Sequence, residues 1–425
     1  MVLRILLDVN VLGLGSNAPV TRAGIFRATE ALSRALLRRD DLAVHFAAEA
    51  TWASELLLLA YDRERGGWLG DRILRAWEQP GISDADATAL IAHVVAEEAA
   101  GRSARKDRAT LTLLSAGARR VGLHEGCDVL HSLRTPLAEP ARIAARVRAL
   151  TIHDVIPLLH PEWMYPAAEA ELVATAASVL PSDSVIANSK ATARDVSAAL
   201  GIDSRRVFVT PLAASSDSFY REPSSSRIEA ARARYGIPAG PYILSVCTLE
   251  PRKNLLHLLS CFHRMLQRES PPDARLVLVG PTGWNVEPLF TYLSERPELA
   301  KRVTLAGYVD DADLAALYSG ARAFVYPSLY EGFGLPVLEA MQCGTPVITS
   351  DCSSLPEVAG EAAILVPPTD EAALESALGR VMTDATLAAE LSRRGLERAT
   401  AFSWERTAEA TVQAYREMLR ISSRS

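Results

Sequence analysis

At 425 residues the chain is long for one hydrophobic core, and two units of about 200 residues each are the natural division. With 49% apolar and 23% charged residues it has the composition of a globular protein with ample material for sizeable cores. A net charge of −6 excludes a general nucleic-acid binder, which needs a basic surface to meet the phosphate backbone.

The opening stretch Met1–Asp8 is too short and too soon charged for a signal peptide and suits a buried first strand. No apolar run approaches the ~20 residues of a membrane span, so a cytoplasmic protein is expected. The five cysteines (Cys127, Cys247, Cys261, Cys343 and Cys352) are odd in number and lack CxxC spacing. They read as small buried hydrophobes in a reducing compartment.

Along the chain, short apolar runs bounded by Gly, Pro, Asp or Ser alternate with longer segments of helical character, the pattern of βα units and a parallel sheet. The first half predicts strands at Leu3–Val9, Leu42–Ala47, Asp128–Leu133, Ala149–Asp154, Ser184–Ser189 and Val207–Leu212. Residues 50–120 interrupt the pattern with a helical elaboration rich in Ala, Leu and Arg. Between residues 101 and 150 ten Lys/Arg stand against four Asp/Glu. This reads as a solvated helical face, or in the alternative as a patch for an anionic acceptor or peripheral contact with a membrane. Ala213–Gly240, with Pro223-Ser224-Ser225-Ser226, reads as a connection plus one short helix. The second half predicts strands at Tyr242–Thr248, Arg275–Gly280, Val303–Gly307, Ala323–Ser328, Pro346–Ser350 and Ala363–Val366. The tail predicts a helix over Ser403–Leu419, capped by Ser403.

The resulting expectation is an α/β fold of two doubly wound, Rossmann-like domains facing a central cleft. The N-terminal domain spans 1–214, the linker 215–240 and the C-terminal domain 241–402. The terminal helix, 403–425, is placed to pack back on the first domain. In open α/β sheets ligands bind beyond the C-terminal ends of the strands, where strand order reverses.

The most informative stretch surrounds Tyr330–Gly344. A strand ends at Tyr326-Pro327-Ser328 and opens into a loop with Gly332 and Gly334, which allow positive φ or close backbone approach. Pro336 sits where a first helical position belongs and Gly344 where the helix stops. Glu331 therefore lies on the loop and Glu339 on the early helix. A carboxylate accepts hydrogen bonds from a vicinal diol such as a ribose, and the amides at the helix start suit a diphosphate. After the domain's first strand comes Thr248-Leu249-Glu250-Pro251-Arg252-Lys253-Asn254, whose Arg252 and Lys253 can neutralise a leaving diphosphate.

The Glu331–Glu339 segment resembles the Glu-x7-Glu motif of retaining glycosyltransferases of family 4, which have the two-domain GT-B architecture. The resemblance runs on through Gly307-Tyr308-Val309, Leu317-Tyr318, Pro327-Ser328 and Ser350–Val358. It implies that Glu331 contacts the donor sugar and that Glu339 binds the ribose. It also implies that Gly332, Phe333, Gly334 and Leu335 approach the sugar and phosphates, while Gly307, Tyr308 and Val309 hold the base. Relatives carry a glycine followed by arginine at Thr248; here Arg252 stands in, and Lys253 aligns with the family lysine. The N-terminal domain becomes the acceptor side. Its loop Gly13-Leu14-Gly15 and Thr21–Arg27 resembles the family's glycine-rich Gly-Ile-Gly-Arg, at Gly24-Ile25-Phe26-Arg27 with Phe26 for the second glycine. His153, at the end of a strand beside Asp154, matches a histidine that touches the donor sugar near its reacting centre. Asn188-Ser189-Lys190 resembles a further cleft-lining element.

Residues expected to take part in the chemistry are thus His153, Arg252, Lys253 and Glu331. The partners implied are a nucleotide-sugar donor, GDP- or UDP-linked, and a glycan, lipid-linked or other hydroxyl acceptor. No cofactor or metal is expected, since Arg252 and Lys253 do the charge work and Asp310-Asp311-Ala312-Asp313 reads as a helix cap. Two rival readings remain: a sugar-nucleotide epimerase or phosphorylase on the same architecture, and a non-catalytic sugar-nucleotide-binding subunit.

Overall fold

A computed structural model of the chain describes residues 2–14, 24–48, 51–78, 82–99, 105–120, 126–139, 143–268 and 273–423. Twelve strands form two fully parallel six-stranded sheets. The first contains β1 (Leu3–Asp8), β2 (Leu42–Ala47), β3 (Cys127–Ser132), β4 (Ala145–Ile152), β5 (Ser184–Ala187) and β6 (Val207–Val209), in the order β2-β1-β3-β4-β5-β6. The second contains β7 (Tyr242–Val246), β8 (Arg275–Val279), β9 (Val303–Gly307), β10 (Ala323–Tyr326), β11 (Val347–Ser350) and β12 (Ala363–Val366), in the order β9-β8-β7-β10-β11-β12. The central strands are buried end to end because helices cover both faces: every residue of β3, β5, β10 and β11 is buried, polar ones such as Asp128 and His131 included.

All twelve predicted strands are present. Most stop one to three residues before the predicted end, where the side chains turn toward the cleft. β4 also begins earlier, at Ala145, because its register alongside β3 already starts at the Cys127–Ala145 pair. Arg146, exposed, pairs with buried Asp128 at 3.3 Å, and buried Arg148 pairs with Asp183 at 3.3 Å, so part of the basic excess of residues 101–150 is matched by carboxylates of the first half.

The helices that matter for the site are α1 (Ile25–Leu37), α2 (Trp52–Glu64), α3 (Asp84–Ala99), α4 (Arg105–Gly117), α5 (Lys190–Leu200), α6 (Leu255–Arg268), α7 (Leu335–Gln342), α8 (Leu355–Ala359) and α9 (Trp404–Ser422). The elaboration over 50–120 comprises α2 to α4 together with a two-residue strand pair, Trp77–Glu78 against Arg119–Arg120. Gly13 lies in a one-turn helix, Asn10–Leu14, where a Cβ would come within 2.9 Å of Leu57 Cβ and Leu58 N. It is a packing glycine against α2. Gly15 and Thr21–Ala23 lie outside the described residues.

Helix α9 crosses back to the first half. Ser403 caps it, accepting from the Arg406 amide at 3.2 Å, and Trp404, Val412, Tyr415 and Met418 join the core beneath the first sheet. Ala399 and Ala214, by contrast, belong to the core of the second half. All five cysteines are free thiols; Cys127, Cys261 and Cys343 are buried. Among the described residues no helix is long and apolar enough to cross a membrane.

Candidate active-site cleft

Strand order reverses between β7 and β10, and the loops leaving these two strands make one wall of a cavity of about 350 Å³ between the sheets. Loops leaving β4 and β5, with the start of α1, make the other wall.

On the first wall, Arg252 and Lys253 sit in a tight turn, Pro251–Lys253, that follows β7. Asn254 ends that turn with φ 57° and ties it down through its side-chain amide, donating to the carbonyls of Pro327 and Pro368 at 3.1 and 2.7 Å. Both cations converge on Glu331: Arg252 Nη1 at 2.7 Å from Oε2 and Lys253 Nζ at 2.6 Å from Oε1. Ser328 Oγ donates to the same Oε1 at 2.6 Å. Burial opposes ionisation of Glu331, yet Arg252 and Lys253 outweigh it and hold the pKa down to about 2. Arg252 also pairs with Glu250 at 2.7 Å. Burial works against its charge, and Glu331 and Glu250 reverse that effect, so the guanidinium is charged at any working pH. Lys253 Nζ donates to Tyr326 Oη at 2.7 Å, whose phenol is pushed well above its usual pKa by burial and then by Glu331.

The loop after Glu331 approaches the opposite half closely. A Cβ on Gly332 would fall 2.2 Å from the His153 carbonyl oxygen, so only glycine fits. Gly334 holds φ 111° as the N-cap of α7, which starts at Leu335, so Pro336 is its second residue rather than its first. The amides of Phe333, Gly334 and Leu335 line the cavity and have no acceptor among the described residues. Glu339, one turn further on, is buried and accepts from Tyr318 Oη at 3.0 Å and from Arg27 Nη2 at 3.1 Å. Burial raises its pKa, against the pull of Arg27.

Across the cleft His153 ends β4. Its Nε2 lies 3.0 Å from the Leu133 carbonyl, which can only accept, so the proton sits on Nε2 and Nδ1 is the acceptor. Burial lowers its pKa, which keeps the ring neutral. Behind it, buried His131 bridges Tyr415 of α9 and Thr151 of β4 at 2.7 Å each. Burial drives the His131 pKa down to about 3.

The two halves are also clasped. Glu357 of α8 accepts from the amides of Lys190 and Ala191 at 2.9 and 2.7 Å, capping the N-terminus of α5. Ser189 Oγ and Thr192 Oγ1 donate to the Gly332 carbonyl at 2.7 and 3.0 Å.

Of the expected site residues, Gly24, His153, Thr248, Arg252, Lys253, Tyr308, Val309, Glu331, Gly332, Phe333, Gly334, Leu335 and Glu339 all line the cavity. Gly307 does not; with φ 66° it turns the chain from β9 toward Tyr308. Asp310 stands at the N-cap of the helix Asp311–Gly320, but its side chain makes no capping bond, and Asp313 is engaged by Arg234 and Tyr235 instead. Tyr326, Tyr318 and Arg27 gain site roles that the sequence reading did not give them. Tyr326 is the last residue of β10, and strand ends face the cleft, which was the available signal. Asn188, at the end of β5, lines the cavity with Oδ1 buried and unpartnered. Among the described residues no three His, Cys, Asp or Glu side chains gather as metal ligands.

This architecture, two Rossmann-like sheets closing on one cleft, is the GT-B fold. Residues 227–398, which carry the wall from β7 to α8, match the family model described as glycosyl transferases group 1. The chain is 40% identical over 211 residues to the O-antigen chain mannosyltransferase B of Escherichia coli, covering 50% of this chain and 54% of that protein. It is 32% identical over 280 residues to the serotype-specific mannosyltransferase WbdA of Escherichia coli, covering 64% of this chain and 33% of that one. The chain thus spans only a third to about half of these relatives. Among solved structures, sucrose-phosphate synthase from Thermosynechococcus elongatus superposes with a TM-score of 0.65 at 22% identity, over 100% of both chains.

Proposed function

We propose that the chain is a retaining, metal-independent glycosyltransferase of family 4 that moves a hexose, mannose first among the candidates, from a nucleoside-diphosphate sugar to a hydroxyl of a glycan acceptor in cell-surface polysaccharide synthesis. The observation that carries this reading is the single cavity in which Glu331, ionised between Arg252 and Lys253, and Glu339 lie on one wall with neutral His153 opposite. The names of the mannosyltransferase relatives support mannose and hence GDP-mannose as the donor to try first.

In this reading Glu339 takes the ribose hydroxyls, with Tyr308 and Val309 flanking the base. The free amides of Phe333, Gly334 and Leu335, at the positive end of α7, receive the diphosphate. Arg252 and Lys253 carry the charge that grows on the leaving phosphate, already fixed in place by Glu331 and Glu250. Glu331 is acceptor-only and strongly ionised, so it grips sugar hydroxyls and does not serve as a proton donor. The incoming hydroxyl attacks on the face from which the diphosphate leaves and passes its proton to the departing phosphate oxygen. Neutral His153 and Asn188 Oδ1 position the sugar from the other wall. The clasp between Glu357 and α5 keeps the walls together and water out.

The test is calorimetric titration of the full chain with GDP, UDP, ADP and dTDP, followed by incubation with the matching sugar donors and an α-mannoside acceptor. Binding of one nucleoside diphosphate and transfer with retained anomeric configuration in the presence of a chelator is the expected result. No binding to any of the four would sink the reading.

A further inference from the structure

Beyond His153 the chain runs through a one-turn helix, Ile156–Leu159, into His160 and a tight turn, Pro161–Trp163. There five partly exposed rings from both halves meet at the seam of the cleft. His160 and Trp163 stack with centroids 3.9 Å apart and planes at 14°. Tyr165 meets Trp284 edge to face at 5.6 Å. His160 lies 5.4 Å from Tyr330, the residue before Glu331. Trp284 comes from the loop after β8, three residues beyond the cavity-lining Pro281, and its Nε1 donates to the Trp163 carbonyl at 2.9 Å.

Among the described residues none of these five rings belongs to the apolar core of either half. Core packing therefore does not account for them. Arg134 joins them from the loop leaving β3. It is exposed and has no ion-pair partner among the described residues, and its charge reaches both His153 and Tyr165. The loop lies where the first sheet reverses its strand order, between β1 and β3, the place where an open sheet offers a binding crevice.

We propose that the rings of Trp163, His160, Tyr165 and Trp284, with Arg134, form the acceptor subsite and hold the terminal sugars of a saccharide chain. The inference rests on reading the cleft as a glycosyl-transfer site. Sugar rings present C–H faces rimmed by hydroxyls, and part-exposed aromatic rings with polar edges match that alternation. The Trp163 indole N–H, the His160 Nε2 and the five N–H donors of an arginine serve the hydroxyl rim, while the Trp284 indole and the Tyr165 phenol, held by the Trp163 carbonyl and by Glu171 at 2.6 Å, contribute ring faces. A lipid tail would instead need a continuous apolar groove without a polar rim. The subsite places the acceptor's end beside His153, on the wall opposite the diphosphate.

The experiment is calorimetry on the full chain with mannotetraose and, separately, GDP. Wild type is expected to bind both. Trp163→Leu removes a ring yet keeps the main-chain carbonyl that receives Trp284, so the two halves stay bridged. Trp163→Leu and Tyr165→Leu should each weaken mannotetraose binding at least tenfold and leave the GDP dissociation constant within twofold. Arg134→Ala, a surface change with no folding cost, should weaken the tetrasaccharide about fivefold. Wild type that binds GDP but no hexose oligomer, or variants that bind mannotetraose as wild type does, would overturn the subsite while leaving the nucleotide cleft standing. Saccharide binding that is lost in the variants, in a protein that binds no nucleotide, would support the ring site and overturn the transfer reading.

Discussion

The two walls of the cleft are built on opposite electrostatic plans. The wall from β7 to α8 packs Arg252, Lys253, Glu250 and Glu331 into one buried ion cluster, each charge fixed by at least one other. The wall from β4 and β5 offers a neutral histidine and an unpartnered amide oxygen, with the Asp154 carboxylate beside them. A highly charged, invariant group such as a nucleoside diphosphate calls for preorganised cations, whereas uncharged hydroxyls are met by neutral donors and acceptors. The difference teaches that the first wall concentrates paired, buried charge, whereas the second presents mainly neutral polar groups.

The sharpest way to break that division is Glu331→Gln. It leaves Arg252 and Lys253 buried without their shared counter-charge and should lower stability by about 3 kcal/mol in urea denaturation. The pH dependence has a definite sign. Glu331 has a folded pKa of about 2, below that of an unfolded glutamate, so its contribution is present above pH ~4.3 and fades as pH falls toward 2. Wild type should therefore lose stability along an acid limb that the variant lacks. His153→Ala tests the neutral wall: turnover should fall about 100-fold while the GDP dissociation constant stays within threefold, measured by initial rates and calorimetry.

Arg27→Ala probes a cation that crosses between the walls to Glu339. Burial already raises the Glu339 pKa and Arg27 pulls it back, so without Arg27 the carboxyl protonates at higher pH. Nucleotide affinity in the variant should drop about tenfold overall and fall further as pH is lowered, with a steeper acid dependence than wild type, measured by calorimetry across a pH series. Glu357→Ala has the smallest expected effect. It removes two charge-assisted bonds at the start of α5, worth about 1–2 kcal/mol, and should enlarge the radius of gyration in solution scattering with KM rising more than kcat falls.

The charged wall was far more legible in the sequence than the neutral one. Glu331, Glu339, Arg252 and Lys253 stand in fixed spacing next to glycine and proline punctuation, so residue type alone locates them. Tyr318 and Tyr326 share the site, yet their aromatic bodies sit in a helix and a strand and read as core. Arg27 was in view as the end of a glycine-rich loop, but its partner lies 312 positions away, a distance that no local pattern encodes. The same holds for Glu357 and the start of α5: each stretch stood out singly, and only folding shows that one caps the other. Gly13 could be placed only by its neighbour, because a packing glycine and a ligand-approach glycine look alike until that neighbour, here Leu57, is known.

The chain passes between the halves twice. It goes forward between Ala213 and Ala214 and returns between Ala399 and Trp404, the two passes lying side by side and tied where Thr407 Oγ1 donates to the Pro211 carbonyl at 2.7 Å. Phe402 packs against both cores at that point. Mechanically this resembles a door hung on two pins: two adjacent crossings constrain rotation of one half against the other about any axis but the one through them. A protein cut at Thr400 would keep every residue of the charged wall yet lose one pin and the Tyr415 prop under His131, and its leaves would close out of line.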